Sequence, residues 1–334
     1  MGNETQQSEI SWSFYQIWNK SLEEGKNDKV LQPRQNMWAT ELGGAFIDRY
    51  LKMKAVPYTN PPNPRSLRKF EAGNIWESII AYVLNRAGIL ITTQDWLSYQ
   101  YKGLLQVTGK LDFIAGGSPD YEKATSIISS EFKWLPQFIS RAISQIVIHL
   151  KQEYPNGLKN IILEIKSCSS FMFENYERKD EGNPNHKLQL FHYLKAKDMK
   201  EGHLVYISKD DARILEFGIF NPSPLETKYK KDIEMMNYYL VNNEQPPKEK
   251  AIVFDDLLGK FSANYKVGYS NYLTMLYGLE NQHAFDTIYK PKVERWNRVL
   301  GRIKEGKNIT ANNKEALEEM KKAGFNSEEL LNEH

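Results

Sequence analysis

The pattern of apolar and polar positions predicts helices alternating with strands in the first half of the chain. Between Arg65 and Gly88, apolar residues recur at steps of three and four, which is typical of an amphipathic helix that stops at a glycine. The segments LSYQY and LLQVTGKLDFIAGG then alternate around Lys102-Gly103, and this alternation predicts a β-hairpin. Residues 121–151 are rich in Ile and Phe and return to a helical pattern.

The pattern of the second half predicts a strand, a helix and another hairpin. The strand is NIILEIKS at 160–167, and KLQLFHYLKAKDM follows it as a helix. HLVYISKDDARILEFGIF alternates around Asp210-Asp211 and predicts the second hairpin. The remainder is mainly helical in pattern and ends in two short capped pieces, NITANNKEALEEMKKAG and NSEELLNEH. This order predicts an α/β fold in which a mixed sheet lies between helices.

The N-terminal part of the chain is separated from this core by a proline-rich stretch. SWSFYQIWNK is an aromatic amphipathic helix candidate, and a second helix is indicated near ATELGGAFIDRYLKMK. VPYTNPPNP, at 56–64, breaks the helical pattern and is typical of a linker or domain edge. We therefore expect a helical extension before the core.

Composition limits the classes to which the protein can belong. Its 334 residues are 41% hydrophobic and 26% charged, which is typical of a soluble globular protein. The single cysteine, Cys168, excludes an internal disulfide and a four-cysteine metal site, and it favours a reducing compartment. The chain has no apolar run near the ~20 residues of a membrane span, and its polar start is no signal peptide. The expected location is therefore the cytoplasm, with no membrane association.

The strand at 160–167 carries an acid and a base where an apolar strand would not be expected to hold them. Period-two alternation places Glu164 and Lys166 on one face with Ile162, so both charges would lose solvation unless something compensates them. The compensation could be a buried ion pair, or a metal and a phosphate. Glu-x-Lys occurs seven times in the chain and is weak by itself, but only this copy lies within a strong strand pattern; the copy in SSEFK at 129–133 is the next best.

A second carboxylate lies on the strand predicted earlier in the chain. Alternation places Thr108, Lys110, Asp112 and Ile114 on one face, next to a glycine-rich loop. Two carboxylates on adjacent strands could hold a hard divalent cation through oxygen ligands. A lysine on the same face could then orient or activate a water and offset charge at a phosphate.

These motifs together resemble the PD-(D/E)XK nuclease superfamily, in particular its RecB-like and phage-exonuclease branch. GKLDFI supplies Gly-x-x-Asp, ILEIKS supplies Glu-x-Lys, KLQLFHYLK supplies Gln-x-x-x-Tyr, and FEAGNIWE resembles the first core helix. In this chain the motif positions are Gly109 and Asp112, Glu164 and Lys166, Gln189 and Tyr193, and Gly73 and Glu77. The four motifs occur in the family's order, and the resemblance covers roughly residues 65–245.

The resemblance implies a restriction-endonuclease-like core at 65–246, with a helical extension at 1–64 and a C-terminal helical region at 247–334. The chain departs from the family in lacking a proline before Asp112, and in a long interval between Asp112 and Glu164. We therefore expect a helical insertion at 117–158. Relatives with an iron–sulfur cluster use four cysteines, so the resemblance implies no cluster here.

The implied activity is that of a Mg²⁺-dependent (or Mn²⁺-dependent) deoxyribonuclease. An exonuclease of phage or bacterial DNA recombination, repair or processing is expected, in a bacterial cell or a phage-infected host. In this interpretation Asp112, Glu164 and the carbonyl of Ile165 hold the metal, while Lys166 positions the attacking water. Further roles are implied for Glu77, which would support a second ion or its water shell, and for Gln189 and Tyr193, which would orient the lysine and the DNA backbone.

Each of these residues also has a simpler interpretation. Asp112, Glu164 and Lys166 could form a structural acid–base cluster, Glu77 could be a solvated boundary residue, and Tyr193 could fill the core. For three further residues the structural interpretation is preferred: surface or capping positions for His186 and His192, and a small buried side chain for Cys168. At the level of function, the alternative is a non-catalytic scaffold or DNA-binding component of a phage particle or packaging assembly. Oligomers and protein partners are left open.

Two basic stretches are candidates for DNA contacts. The segment 51–70 contains no acid and five cations that we assign to DNA binding: Lys52, Lys54, Arg65, Arg68 and Lys69. Residues 287–307 carry seven cations against two glutamates, but they lie far along the chain from every motif. Basic runs are often no more than solvated surfaces, whereas beside a nuclease cleft they would contact phosphates.

Overall fold

A computed structural model describes most of the chain. It covers residues 32–124, 137–255, 259–308 and 310–325, together with 16–17, 20–21 and 126. Most of the expected helix SWSFYQIWNK, the copy of Glu-x-Lys at 129–133, and the piece NSEELLNEH therefore lie outside the described residues. The chain divides into two compact units, the first including Arg34–Gly43 and Pro62–Tyr238, and the second including Gly44–Pro61 and Tyr239–His334.

Helices and strands alternate in the first unit, and helices predominate in the second. The helices are α1 (Phe46–Met53), α2 (Pro64–Arg86), α3 (Gln137–Glu153), α4 (Ser170–Lys179), α5 (Pro184–Lys197), α6 (Leu225–Val241), α7 (Tyr265–Gly268), α8 (Leu273–Tyr277), α9 (Gln282–Lys304) and α10 (Ala311–Lys322). The strands are β1 (Met37–Trp38), β2 (Leu90–Thr93), β3 (Trp96–Tyr99), β4 (Val107–Lys110), β5 (Phe113–Gly117), β6 (Leu158–Cys168), β7 (Glu201–Ser208), β8 (Ile214–Phe220), β9 (Ile252–Asp255) and β10 (Lys260–Ala263).

A five-stranded mixed sheet forms the centre of the first unit. Its strand order is β2-β5-β6-β7-β8, with β6 parallel to β7 and antiparallel to β5. Phe113 pairs with Leu163, which brings the start of β5 beside the middle of β6. The parallel pair requires a crossover, and α4 and α5 supply it. The predicted central strand and the second hairpin, β7 with β8, are both present.

Helices cover both faces of this sheet. On one face, Phe113, Ile165 and Ile207 form a core cluster to which Trp76 and Ile80 of α2 are packed. The opposite face packs against α5, where Gly202 approaches Leu190 and Leu194 so closely that a Cβ would lie 2.9 Å from the first. The predicted fold class, an α/β protein with a mixed central sheet flanked by helices, is confirmed.

The helix α2 begins and ends where the sequence predicts. Asn63 accepts a hydrogen bond from the backbone N–H of Ser66 (2.9 Å), and Pro64 occupies the first turn, where a missing N–H costs nothing. The helix stops before Gly88, which takes a φ of +75° that a side-chain-bearing residue would adopt with strain.

A small three-stranded sheet precedes the central one and corrects the first predicted hairpin. Strand β3 pairs antiparallel with β4, as expected around Lys102-Gly103, and the two-residue β1 adds parallel to β4. The expected continuous strand is instead broken at Leu111 and Asp112, since β4 and β5 belong to different sheets. The interpretation that Lys110 and Asp112 share one face is therefore wrong: Lys110 is exposed and Asp112 is buried.

Between β5 and β6 the described residues are largely helical. Residues 121–124 form a short helical piece, and α3 follows. Tyr121, Ile143 and Val147 join a core cluster with Ala87 and Ile89. Tyr121 also donates its hydroxyl to the carbonyl of Tyr154 (2.9 Å), so this segment is anchored to the end of α3.

The second unit has a core of its own around Trp296, packed with Phe261, Val299 and Met320. It is helical as expected, but it also contains the hairpin of β9 and β10, which the sequence analysis did not predict. The helix α10 matches the predicted piece NITANNKEALEEMKKAG and stops near Gly324, whose φ is +77°. Across the described segments, none of the helices combines the length and the apolar character that crossing a membrane would take.

Candidate metal and active site

Strand β6 carries the residues on which the site depends. Alternation turns Ile162, Glu164 and Lys166 away from the α2 side of the sheet, as the sequence indicates. Glu164 is fully buried, and the ammonium of Lys166 donates a hydrogen bond to its Oε1. The other carboxylate oxygen, Oε2, is buried and has no hydrogen-bond partner. A buried carboxylate oxygen without a donor is costly, so this oxygen has an unmet need for a proton or a cation.

Asp112 is held next to this pair by the strand register. Because Phe113 pairs with Leu163, Asp112, which comes just before β5, lies opposite Glu164. The Asp112 side chain is buried, and its Oδ2 accepts the backbone N–H of Ile165 at 2.8 Å. Two carboxylates from neighbouring strands thus meet at the point where the small sheet ends and the central sheet begins.

The electrostatics show that negative charge at this point is under-compensated. Burial first, and then the charge of Asp112, raise the pKa of Glu164 to about 8. Burial also raises the pKa of Asp112, although Lys166 opposes this. Burial lowers the pKa of Lys166, but Glu164 and Asp112 together more than offset that effect, so its net pKa is raised. Lys166 therefore faces two buried acids, and Lys110 is a further cation that acts on Asp112.

Glu77 adds a third carboxylate to the same electrostatic environment. It lies on α2, is half-buried, and accepts a hydrogen bond from the side-chain amide of Gln94 at its Oε1. Its pKa is raised by burial first and by Asp112 second, while Lys166 and Lys110 lower it. One turn earlier in the same helix, a Cβ on Gly73 would lie 3.4 Å from the Ser167 hydroxyl, so α2 contacts β6 beside the site.

Gln189 and Tyr193 lie on α5 and form a chain of hydrogen bonds that ends on the backbone of β4. The Gln189 Nε2 donates to the Tyr193 hydroxyl (3.1 Å), which in turn donates to the carbonyl of Lys110 (2.9 Å). Both side chains are buried. Gly109 is required here, because a Cβ on it would lie 2.8 Å from the Tyr193 ring. This chain of bonds fixes the end of β4, two residues before Asp112.

The histidines and the cysteine differ in burial, and Cys168 is only partly buried rather than buried as expected. His192 is fully buried, so the expectation of a surface or capping position is wrong for it; its Nδ1 hydrogen-bonds the Tyr229 hydroxyl (2.8 Å). The Nδ1 of His186 lies 2.9 Å from the Tyr206 hydroxyl. Burial lowers the pKa of each histidine to about 3, so both are neutral. Burial raises the pKa of the Cys168 thiol to about 11, which makes it a poor nucleophile.

The basic residues predicted to contact DNA fall on two helices of different units. Arg65, Arg68 and Lys69 lie in the first two turns of α2, upstream of Glu77 on the same helix. Lys52 and Lys54 lie on and just after α1, and Lys54 donates to the side chain of Asn243 (2.8 Å). In the second basic stretch, several cations are paired with acids: Lys290 with Asp286, Arg295 and Lys292 with Glu319, and Lys307 with Glu305.

Gln94 and Lys110 both act on the carboxylates of the candidate site, and the sequence analysis assigned neither of them a role there. Gln94 bonds Glu77, and Lys110 acts electrostatically on both Glu77 and Asp112. Lys110 could have been found, because it lies two residues before Asp112 in the motif GKLDFI. Gln94 carries no such signal: it lies in the turn between β2 and β3, and only the fold brings it to α2.

The donor set fits a divalent cation only in part. Asp112 and Glu164 supply hard oxygens, and the Oε2 of Glu164 is buried without a hydrogen-bond partner. The described residues contain no group of three or more His, Cys, Asp or Glu side chains close enough to hold an ion together. A cation here would therefore take two carboxylates, with the rest of its ligands from backbone carbonyl, water or substrate, as Mg²⁺ does in many phosphoryl-transfer sites.

Comparison with known proteins gives distant similarity only. No protein-family model and no curated protein matches the sequence. Among solved structures, the crystal structure of SSO0001 is 16% identical with a TM-score of 0.38, covering 71% of this chain and 89% of that one. LHK-Exo in complex with dAMP is 10% identical with a TM-score of 0.39, and the match covers 63% of this chain and 90% of that one. The alkaline exonuclease LHK-Exo from Laribacter hongkongensis is 9% identical with a TM-score of 0.32, and the match covers 69% of this chain and 94% of that one. Similarity at this level does not bear on the site, whose own geometry has to carry the function.

Proposed function

We propose that this protein is a divalent-metal-dependent nuclease that hydrolyses phosphodiester bonds in DNA, with Asp112, Glu164 and Lys166 at its catalytic centre. The observation that carries the proposal is the fully buried Glu164, whose Oε2 lacks any partner while Asp112 and Lys166 stand beside it. The motif order around these residues supports the same activity. A bound Mg²⁺ would polarise the scissile phosphate and lower the pKa of an attacking water.

The chain's own residues have separable roles in this proposal. Asp112 and Glu164 supply anionic oxygens for the metal, together with the Ile165 carbonyl. Lys166 is held by Glu164, so its ammonium is fixed where it can orient the attacking water and offset charge on the phosphate. The carboxylate of Glu77, which interacts electrostatically with Asp112 and Lys166, would hold a water of the metal's shell or a second ion. Gln189 and Tyr193 would position the end of β4 through the hydrogen bond from Tyr193 to the carbonyl of Lys110.

The alternative is a non-catalytic protein that keeps the nuclease-like arrangement as a scaffold. A purely structural Glu164–Lys166 pair would be satisfied by itself, but here the second oxygen of Glu164 has no partner, and a second buried acid, Asp112, lies beside the pair. Buried pairs of this type are weak evidence for stability, since desolvation can exceed the attraction between the charges. The excess of acid over base therefore favours a site over a scaffold.

The test is degradation of end-labelled and internally labelled DNA by the purified protein in Mg²⁺, Mn²⁺ or EDTA. We expect hydrolysis that requires the metal, and loss of hydrolysis in Asp112→Asn and Glu164→Gln. A matched control is Glu226→Gln, which removes another acid paired with a lysine, Lys195, outside the cluster. Linear, nicked and closed circular substrates separate exonuclease from endonuclease. Metal-independent cleavage, or full activity in both variants, would refute the proposal.

A role in phage or bacterial DNA recombination, repair or processing is proposed with the activity, in the cytoplasm of a bacterial or phage-infected cell. An exonuclease would need free DNA ends, which such processes supply. Hydrolysis that starts at linear ends and spares closed circles would support this role. Equal cleavage of circles and linear DNA would point to an endonuclease instead.

A further inference from the structure

The three-stranded sheet has one outer face that the proposed chemistry does not use. Its residues alternate strictly: Met37, Leu97, Val107 and Gly109 are buried on the inner side. The outer side consists of Trp38, Trp96, Ser98, Thr108 and Lys110, which we call the tryptophan face. Cross-strand pairing places Trp96 opposite Lys110, and both Trp38 and Ser98 opposite Thr108.

Two large aromatic rings are exposed on this face. Trp96 is 60% exposed and Trp38 is 37% exposed, and their ring centroids lie 5.3 Å apart. An aromatic pair within a sheet can stabilise strand pairing, but this needs no such exposure. Exposing two tryptophans to water is unfavourable, and clustered exposed apolar surface commonly marks a binding site. The guanidinium of Arg34, which is ion-paired with Glu41, lies 5.8 Å from the Trp38 ring.

A cleft lined by neutral amides continues the tryptophan face. Five carboxamides line this amide cleft, whose volume is about 510 Å³: Gln35, Asn36, Gln100, Gln106 and Asn237. The two surfaces are joined by hydrogen bonds, because Asn36 donates to the Thr108 hydroxyl (3.0 Å), which lies 3.3 Å from that of Ser98. Carboxamides both donate and accept, so they can bond base edges without repelling phosphates.

The opposite end of the tryptophan face, at Lys110, lies close along the chain to the carboxylate site. Lys110 is two residues before Asp112, so their Cα atoms are at most about 7 Å apart. Its charge acts on both Asp112 and Glu77. From Gln106 to Lys110 the strand spans roughly 13 Å, and stacked bases rise about 3.4 Å each, so the face has room for three or four nucleotides.

We propose that the tryptophan face and the amide cleft bind a single strand of DNA, with unpaired bases stacked on Trp38 and Trp96 beside the catalytic site. This inference rests on the proposed nuclease function for the identity of its ligand. Successive bases stack on aromatic side chains in sequence-independent binding of single strands, while cations contact the backbone. Rings and amides would also suit a neutral oligosaccharide, but Lys110 and the continuity with Asp112 favour an anionic strand.

The test measures binding of a labelled single-stranded oligonucleotide in EDTA, so that no cleavage takes place. Trp38→Ala and Trp96→Ala should each weaken binding roughly tenfold or more. Trp96→Phe, which keeps a ring, should restore most of the affinity. The matched control is Tyr269→Ala, which removes an aromatic residue that is 68% exposed and belongs to the second unit.

A salt titration separates stacking from charge. The slope of log affinity against log salt should be unchanged in the tryptophan variants, and it should fall by about 0.7 in Lys110→Ala if that lysine contacts one phosphate of a single strand. A blunt duplex of the same sequence, which has no unpaired bases, should bind the tryptophan variants and the wild type equally. Loss of affinity for single strand and duplex alike would overturn the proposal.

The outcomes distinguish this inference from the proposed function. If the wild type binds single strands through the tryptophans but hydrolyses no DNA with Mg²⁺ or Mn²⁺, the binding face stands and the nuclease proposal fails. If DNA is hydrolysed but the tryptophan variants bind single strands as the wild type does, the binding face is refuted while the nuclease stands. That second result would leave a protein or another segment of the chain as the occupant of the tryptophan face.

Discussion

Tyr193 donates its hydroxyl to the backbone carbonyl of Lys110 at 2.9 Å, and this bond links helix α5 to the strand end that leads into Asp112. The residues at both ends belong to motifs that are 80 positions apart in the sequence. Gly109 makes the contact possible, since a side chain there would collide with the Tyr193 ring. The hydrogen bond of the tyrosine thus goes to the backbone of β4 and not to a side chain of the cluster.

Tyr193→Phe should therefore give a partial defect. The carbonyl of Lys110 and the amide of Gln189 each lose a partner in a buried place, which should cost about 1–2 kcal/mol of stability. Hydrolysis should fall several-fold, well short of the loss in Asp112→Asn, because the strand end is less firmly positioned. Gln189→Ala should behave in the same way.

The control for this prediction is Tyr229→Phe. It removes a buried hydroxyl whose hydrogen bond goes to Nδ1 of His192, on the same helix α5, and not to the backbone of β4. We expect a similar loss of thermal stability with unchanged hydrolysis. If both phenylalanine variants lose stability and activity in parallel, the Tyr193 bond has only a structural role.

Lys166→Met should impair the chemical step more than DNA binding. The lysine is held against Glu164, so its proposed action is on the attacking water and the transition state. We expect kcat to fall by about 10²-fold or more, which is the usual scale for loss of a positioned catalytic group. Affinity for DNA, measured without cleavage in EDTA, should change little.

Lys195→Met serves as the control for Lys166→Met. Its ammonium lies 2.9 Å from Glu226, so it is also a lysine paired with a glutamate, but outside the cluster. It should retain near wild-type kcat. A Lys166→Met variant that cleaves at the normal maximal rate but binds DNA poorly would reassign the lysine to substrate anchoring.

How far the sequence predicts this site can be judged from Asp112 and Glu164. The motifs point to both residues, and alternation places Glu164 on the face of β6 that it occupies. Neither the motifs nor the alternation reveal that β4 and β5 belong to different sheets, because alternation along a strand does not specify which strand it pairs with. The break at Leu111 is a matter of tertiary pairing, since β4 pairs with β1 and β3 whereas β5 pairs with β2 and β6.

The fold was predicted best where a pattern is long. The 23 residues of α2 and the 11 residues of β6 have enough positions to define their periods. The hairpin of β9 and β10 was missed, since each strand has only four residues. Burial of His192 was missed as well. Its helix is buried on several sides, so the sequence around the histidine has no apolar periodicity that would show which side it faces. The unpartnered oxygen of Glu164 depends on the tertiary arrangement and has no signature in sequence.

The metal-free protein should lose stability as the pH rises from about 4.5 to about 8. The pKa of Glu164 lies at about 8 in the fold, against an ordinary value of 4.5. Between these values the folded state retains a proton that the unfolded state has released, so the free energy of unfolding falls with increasing pH. The raised pKa of Asp112 acts in the same direction.

Thermal melting across this range, with and without Mg²⁺, provides the measurement. Mg²⁺ should add more stability at high pH than at low pH, because it has to bind ionised carboxylates. Glu164→Gln should flatten the pH dependence of the metal-free protein and lose much of the stabilisation by Mg²⁺. Glu226→Gln should keep both. A wild-type protein whose melting does not respond to pH or Mg²⁺ would contradict the assignment of the metal ligands.

The basic start of α2 should contribute phosphate contacts near the site. Arg65, Arg68 and Lys69 precede Glu77 on one helix, so a strand that reaches the site can run along the first turns of that helix. Neutralising all three should weaken binding of every DNA sequence alike. The slope of log affinity against log salt should fall by roughly 0.7–0.9 for each lost contact. Lys52 and Lys54 are tested as a separate pair, because they belong to the other unit.

The matched control neutralises Lys290, Lys292 and Lys307, three cations of the second basic stretch that already face acids. Their pairing should make their contribution to the salt slope smaller than that of the α2 cations. The rate at saturating DNA should stay near wild type in the α2 variant, because contacts remote from the scissile bond stabilise ground and transition states similarly. An unchanged salt slope in the α2 variant would place the DNA elsewhere, and an equal fall in both triple variants would show that binding follows net charge rather than position.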